Sequence, residues 1–444
     1  MNNDDGSLLA LHPLVRQMIR EGTRDRPLTL NWGPVERDAY NCLGLRDLTP
    51  LAMKARTQII TEALVAGDRF INYSRRRSFY TQSQRYYRPT YSYRAIVPAV
   101  DQLAAVGLIE HVKMPPGHRG FQSRFRATRD LLKELAPVEV VYKPLELIVL
   151  RDADGNPIDY RDNRDTRAMR KRLVEINEGL ASQQIGLGDR VIREGDRLDN
   201  GGRAQAQLHR VFNRGDFGKG GRFYGGHWQN IPAEGGRDQI TINGQQTSEV
   251  DYTGIHIRLL YEEAGKQMPA DPYDIDGWSR KYVKLALLIA INARGHRSAV
   301  RALADALWDD TSISDPFATA NRLIKDAKGR HANIAAAFGS DAGVRLMRRD
   351  SELAERIMLE MVQATGIVPL AVHDSFIVPI THEERLKEAM ENAFLSANTS
   401  SKIPSGNTPQ FLDMLSPRNL SLDPGGHGGD FVHSNHLRLG RRSD

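Results

Sequence analysis

Two acidic residues stand where acids are costly. Asp251 ends a short strand-like run, EVD, and the helix expected after it carries Ile255, Leu259 and Leu260 on one face. Asp374 follows His373 between two apolar runs, IVPLAV and SFIVP, which reads as a hairpin with an ionic dyad at its tip. Carboxylates in such places need a cation or hydrogen-bond donors to offset their burial. Brought together from separate strands, two of them suit a two-metal phosphoryl-transfer site. There, two Mg²⁺ ions about 3.5–4 Å apart activate an attacking hydroxyl and stabilise a leaving pyrophosphate. Magnesium takes oxygen ligands, and one or two carboxylates suffice when phosphates complete its shell. Between the acids lies SRKYVKLALLIAINA, residues 279–293. Arg280 and Lys284, four apart on a helix, share a face that can grip a triphosphate. Leu285, Leu288 and Ile289 are expected to pack behind that face and let the helix act as a lid. Each signal alone has a structural explanation, an i,i+4 Arg/Lys pair being more often a solvated face; their order and joint presence point to chemistry.

The elements that must position these residues can be read along the chain. Residues 1–47, with Pro13, Pro27 and Pro34, read as a loosely structured arm. Residues 48–67 are helical in period, with a start at Thr49-Pro50 and a stop at Gly67. An Arg- and Tyr-rich stretch follows, then a second helix after Ser92 with Ile96, Val100, Leu103 and Leu108 near one face. VKMPPGHRGFQSRFRAT reads as two short strands about a Pro-Gly turn. Residues 137–160 suggest a strand, VEVVYKPLELIVLRD, and a turn at Asp154-Gly155-Asn156-Pro157; 161–183 suggest an exposed, highly charged helix, and 186–220, rich in Gly and Arg, an irregular segment. The tail 399–444, with its GGHGGD run, is expected to be flexible, and His427, His433 and His436 within it are expected to be inert.

Charge is concentrated rather than spread. Twelve Lys/Arg stand against two acids, Asp101 and Glu110, from Arg69 to Arg129, while the whole chain of 444 residues carries only +6. A block this basic, interleaved with tyrosines, suggests a polyanion, nucleic acid first. Helix, helix, basic hairpin and a further helix resemble a winged helix-turn-helix, and AVDQLAAVGLIEHVK is similar to the end of a recognition helix entering a wing. That resemblance implies a DNA-binding domain over residues 48–136, with the helix near 92–106 in a major groove and Arg75, Arg76, Arg77 and Arg94 on DNA.

Composition excludes several classes. A chain 40% hydrophobic and 26% charged is neither disordered nor fibrous as a whole. No apolar run reaches the length that spans a bilayer, so no membrane partner is expected. One cysteine, Cys42, cannot form an internal disulfide or a cysteine zinc site. The opening MNNDD has neither a basic flank nor an apolar stretch, so a cytoplasmic location is expected.

From residue 220 onward the motifs resemble family A DNA polymerases, the DNA polymerase I group, and more distantly phage-type single-subunit RNA polymerases. GGRFYGGHWQNIP (220–232) resembles the family's TGR…LQNIP stretch, and DYTGIHIR (251–258) resembles motif A, DYSQIELR. RKYVKLALLIAINA (280–293) resembles motif B, RxxxKxxxxxxxYG. VHDSFIV (372–378) resembles motif C, VHDE, and is closer to the HDS of the RNA polymerases. The resemblance implies an α+β right-hand fold over residues 221–398: an antiparallel palm sheet with reduced helical fingers, joined to the basic domain by a linker or thumb-like region over 137–220.

The same resemblance implies residue roles. Asp251 and Asp374 would bind two Mg²⁺ ions, Mn²⁺ being able to substitute, with the backbone carbonyl of Tyr252 as a further ligand. Arg280 and Lys284 would bind the incoming nucleoside triphosphate, and Lys284 would protonate the pyrophosphate. Arg222 and Gln229 would lie at the primer–template DNA near its terminus, and His373 would place the primer end. The chain departs from the pattern at the nucleotide-facing positions. His256 stands for the glutamate that crowds the sugar, Leu288 for an aromatic residue, and Asn292-Ala293 for Tyr-Gly. Only 33 residues separate Asp251 from Lys284, and no acidic set for a 3′–5′ exonuclease is visible. The expectation is a compact DNA polymerase without proofreading, serving DNA replication or a related process. An RNA polymerase or primase-like enzyme using rNTPs, and a non-catalytic DNA-binding protein on a polymerase fold, are the alternatives.

Overall fold

The computed structural model describes residues 25–80, 84–86, 88–114, 122–135, 138–144, 146–193, 195–196, 198, 204–399 and 415–417. The turn over 115–121, residues 1–24 and the tail histidines lie outside them.

The basic N-terminal part has its own core. In chain order it contains β1 (Arg26–Pro27), β2 (Trp32–Pro34), α1 (Pro50–Ala66), β3 (Ile71–Tyr73), α2 (Tyr93–Ala105), β4 (Ile109–Val112), β5 (Ser123–Ala127) and α3 (Arg129–Glu134). Pro50 occupies the first turn of α1, and the Thr49 side chain accepts from the Ala52 N–H, so the helix starts where its sequence signals do. The sheet order is β1-β3-β5-β4, with β4–β5 and β3–β5 antiparallel and β1 parallel to β3. Ala95, Ile96, Ala99, Val100 and Leu103 of α2 are buried with Phe125 and Ile71. Residues 25–47 are not a loose arm. Leu28, Leu30 and Trp32 are buried, because β1 extends the sheet edge and β2 lies along α1.

β6 (Val140–Tyr142) pairs back to β2, and β7 (Ile148–Leu150) joins the second core, so the expected single strand is two. Next come α4 (Arg164–Ala181), β8 (Ile185–Leu187), β9 (Arg190–Ile192), β10 (His209–Asn213), β11 (Asp216–Tyr224), β12 (Ile240–Ile242) and β13 (Gln245–Tyr252). Four helices follow before a long one: α5 (Ile255–Glu263), α6 (Arg280–Asn292), α7 (His296–Ala306), α8 (Pro316–Arg330), then α9 (Gly343–Thr365). The chain closes with β14 (Leu370–Val372), β15 (Ser375–Pro379), α10 (Glu383–Thr399) and β16 (Leu415–Pro417).

Two expectations fail here for physical reasons. α4 is charged, yet Met169, Leu173, Ile176 and Leu180 recur at helical spacing and are buried, so it is a core helix with a solvated back. Within 186–220, residues 186–187, 190–192, 209–213 and 216–220 belong to strands β8 to β11, and the Gly220-Gly221 pair makes a bulge in β11 opposite Val211 and Phe212. Gly220 and Gly221 have φ of 75° and 87°, and a Cβ on Gly221 would lie 2.7 Å from the Phe212 ring. Here the chain is therefore a packed, bulged strand and not the irregular segment its composition suggests.

A single antiparallel sheet, ordered β14-β15-β13-β12-β8-β9, carries the acids, and β16 pairs with the free side of β13 at Val250–Tyr252. A part of the tail expected to be flexible is thus in the sheet. The three-stranded sheet β11-β10-β7 lies against α9. The two parts of the chain are joined by an ionic cluster. Arg85 donates to Glu146 at 2.8 Å and to Asp162 at 3.1 Å, and lies 3.8 Å over the Tyr160 ring. The architecture is mixed α and β, and among the described residues no helix is long and apolar enough to cross a membrane.

Candidate active site

β13 alternates as a half-buried strand must. Val250 and Tyr252 are buried, and Asp251 between them faces the other side, part-exposed. Its register with β15 runs from Thr247↔Pro379 to Asp251↔Ser375. Asp251 is therefore directly opposite the residue after Asp374. The Tyr252 N–H approaches the Asp374 carbonyl at 3.4 Å, and the Tyr252 hydroxyl donates to the Met390 carbonyl at 2.6 Å, which anchors that end of the strand to α10. β14 and β15 are joined by a two-residue turn, His373-Asp374, in which His373 has φ of 59°. A histidine in the left-handed region is uncommon outside tight turns; here it lets both residues of the dyad stand at the sheet edge. Asp251 and Asp374 thus lie on adjacent strand ends.

Glu249 and Ser375 support that junction. Ser375 Oγ donates to Glu249 at 2.6 Å, and Arg237 donates to both Glu249 oxygens at 2.9 and 3.1 Å. Glu249 is thereby neutralised by an arginine and does not add a third charge.

The cationic side comes from α6. Arg280, Lys284 and Leu288 are exposed along one face, while Val283, Ala286, Leu287, Ala290 and Ile291 are buried on the other. Leu288 therefore does not pack behind the cations as expected; it extends their face, 55% exposed. Asn292 caps the same helix by donating to the Leu288 carbonyl at 2.8 Å. Its Oδ1 sits where a Cβ on Gly343 would be, so a larger residue there would displace the Asn292 amide.

Tyr273 connects the two sides. Arg280 and Lys284 lie over its ring at 4.9 and 5.5 Å from the centroid. Burial pushes its hydroxyl up to about 12; the carboxylates of Asp251 and Asp374 add to that rise and Arg280 opposes it. A Cβ on Gly254 would meet the Tyr273 hydroxyl at 2.9 Å, and Gly254 has φ of 65°, so glycine serves both the turn into α5 and the close approach of the phenol.

Arg222 of β11 reaches the site from the three-stranded sheet, but its guanidinium is engaged. It donates from Nε to Asp350 at 3.1 Å and pairs with the same carboxylate through Nη2. His256 shares that acid at 2.8 Å. Burial would raise the Asp350 carboxyl, yet the Arg222 charge and the His256 hydrogen bond outweigh it and hold it below its ordinary value. Burial likewise opposes the Arg222 charge, and Asp350 overcomes it and raises the guanidinium. Gln229 lies nearby with its amide committed: Nε2 donates to the Phe223 and Ala371 carbonyls at 3.0 and 3.1 Å. His373 is exposed and meets Tyr224 edge to face, and surrounding protein and the Arg222 charge lower its basicity.

Asp350 and Tyr273 were not found by sequence reasoning. Asp350 had one available signal. It falls on the otherwise apolar stripe of α9 with Leu346, Leu353 and Ile357, and an acid on such a stripe calls for a partner. Tyr273 lies in a loop and had none.

The N-terminal arginines are in the other body. Arg75 is committed to Asp101 by two bonds of 2.8 Å and to the Tyr73 hydroxyl at 2.9 Å, Arg77 lies 5.3 Å over Tyr93, and Arg76 and Arg94 are exposed.

Among the described residues no cluster of three or more His, Cys, Asp or Glu could hold a metal. The donor set at the sheet edge is two carboxylates with backbone oxygens. That is too few, and too hard in character, for a closed zinc centre. It fits a cation that completes its shell with water and phosphate.

The chain matches no protein-family model, and no curated protein matches it in sequence. Among solved structures it is similar to the POL domain of Pol1 from M. smegmatis in complex with DNA primer-template and dNTP, at 13% identity and a TM-score of 0.31. The similarity covers 51% of this chain and 49% of that one, so the chain spans about half the length of the structure it matches.

Proposed function

We propose that this chain is a template-directed nucleotidyltransferase that extends a primer on DNA without proofreading. One observation carries the reading: Asp251 and Asp374 stand on adjacent strand ends, and Tyr273 beside them underlies both Arg280 and Lys284. Opposed acids and cations at one edge match a triphosphate held against divalent ions.

In this reading Asp251, Asp374 and the Tyr252 carbonyl hold Mg²⁺, with Mn²⁺ able to substitute, which when bound neutralises charge on the phosphates and sharpens the primer hydroxyl as a nucleophile. Arg280 and Lys284 bind the incoming triphosphate, and Lys284 Nζ supplies a proton to the departing pyrophosphate. Leu288 and Asn292, further along the same helix, lie toward the nucleotide. His373, at the turn beside Asp374, orients the primer end. Arg222 and Gln229 line the approach of the primer–template, held in place by Asp350 and by the β14 backbone. Positioning and charge neutralisation are the protein's share of the work. The N-terminal body, which resembles a winged helix in sequence, binds DNA through its basic surface.

Primer extension by the wild type and by Asp251→Ala and Asp374→Ala tests the assignment. Synthesis by the wild type alone supports it, and undiminished synthesis in either variant overturns it. A second reading, use of rNTPs, is favoured by His256: the position where the resemblance implies a glutamate holds an imidazole fixed by Asp350. Competition of dNTPs with rNTPs on one primed template separates the two. Binding of primed DNA with no incorporation of either would favour a non-catalytic role.

A further inference from the structure

Residues 271–273 cross the cationic side of the site, and Asp271 and Pro272 have no part in the roles assigned so far. Asp271 does two things there. Its Oδ1 accepts from the Tyr273 N–H at 2.9 Å, which closes the turn, and its Oδ2 pairs with Arg280. Pro272, between them, is fixed from below. His331, fully buried, lies with Nε2 at 2.8 Å from the Pro272 carbonyl and with Nδ1 at 3.0 Å from the Tyr261 hydroxyl. A carbonyl only accepts, so Nε2 carries the proton and Nδ1 accepts from the tyrosine. The turn is thus tied to α5 and the end of α8 through its middle residue, while its two ends reach the cations. Tyr273 lays its ring under Arg280 and Lys284, and its hydroxyl reaches Gly254 beside the acidic strand end. An aspartate on the arginine that would take a phosphate is a resident anion. The pair is about half exposed on both sides, so a more highly charged anion can exchange with it at small cost.

We propose that residues 271–273 form a strap over the triphosphate subsite, in which Asp271 occupies Arg280 as an internal anion until an incoming nucleoside triphosphate displaces it, while Tyr273 keeps Arg280 and Lys284 aligned beside the acids. The strap rests on the nucleotidyl-transfer reading for the identity of its ligand. It pairs the Arg280 charge while the site is empty, and it makes Asp271 a competitor for the substrate.

The test is nucleotide affinity of the full chain with Mg²⁺, measured as dATP or ATP displacing a fluorescent ATP analogue, beside single-nucleotide incorporation on a primed template. Asp271→Asn keeps the shape and the Tyr273 bond but removes the competing charge. It tightens triphosphate binding about two- to five-fold, the range of an exposed ion pair. Tyr273→Ala weakens binding by a similar factor, and Tyr273→Phe, which keeps the ring, stays near wild type. Unchanged or weaker binding in Asp271→Asn overturns the strap, as does Tyr273→Phe behaving like Tyr273→Ala. The strap and the function fail separately. Tightening in Asp271→Asn with no incorporation by the wild type keeps the strap and overturns polymerisation. Incorporation by the wild type with unaltered Asp271→Asn affinity keeps polymerisation and overturns the strap, and absence of triphosphate binding overturns both.

Discussion

His256 Nε2 donates a hydrogen bond to the Asp350 carboxylate at 2.8 Å, across the gap between the helix after the acidic strand and the long helix α9. The same carboxylate takes Arg222. One buried acid therefore sets the position of two site residues and the tautomer of one.

Asp350→Ala leaves the Arg222 guanidinium without its partner in a largely buried position, and breaking a buried pair in that way costs about 3–5 kcal/mol. Thermal unfolding at neutral pH should register a large loss. The pH dependence has a definite sign. The Asp350 carboxyl lies below its ordinary value in the fold, so its contribution is present above the unfolded pKa of about 4 and is lost as pH falls through the lower, folded value. Wild type should lose stability on acidification below about pH 4 more steeply than Asp350→Asn.

Gly254→Ala combines two penalties. The residue has φ of 65°, and an added Cβ would lie 2.9 Å from the Tyr273 hydroxyl. A left-handed alanine alone costs about 1–2 kcal/mol. The variant should melt earlier by that amount, and it should lose triphosphate affinity because Tyr273 is pushed from beneath Arg280 and Lys284. Loss of stability with unaltered affinity would mean that the phenol does not need that seat.

The basic N-terminal body should separate structural from DNA-facing arginines. Arg75 is bound to Asp101 and Tyr73, whereas Arg94 is exposed on α2. In a salt titration of DNA binding, Arg94→Ala should lower the slope of log K against log salt by about one. Arg75→Ala should instead lower the melting temperature, removing a partly exposed ion pair of roughly 1 kcal/mol, with a smaller change in slope. Equal slopes for all three proteins would remove Arg94 from the DNA contacts.

How much of this was legible in the sequence depended on whether a signal was local. The apolar–His–Asp–apolar hairpin and the α6 helix were readable because period and turn chemistry lie within a dozen residues. The same local reading misplaced Leu288, since a leucine on an otherwise buried-type helix counts as core until the fold shows an open face there. α4 was misread for the reverse reason: its charges dominate composition and hide a regular stripe from Met169 to Leu180. The strands from β8 to β11 were hidden by glycines that serve turns and a bulge. Asp350, 94 residues after His256, acquires its meaning only when α9 packs against the sheet of β11. Tyr273, in a loop, acquires its own only when α6 folds over it.

The central claim is that Asp251 and Asp374 together hold divalent cations. Mn²⁺ binding followed by electron paramagnetic resonance, in the presence of nucleoside triphosphate, measures it directly with wild type, Asp251→Asn and Asp374→Asn. The account predicts two bound ions per wild-type chain and a loss of binding in each variant with its fold intact. Variants that bind Mn²⁺ as the wild type does would contradict it.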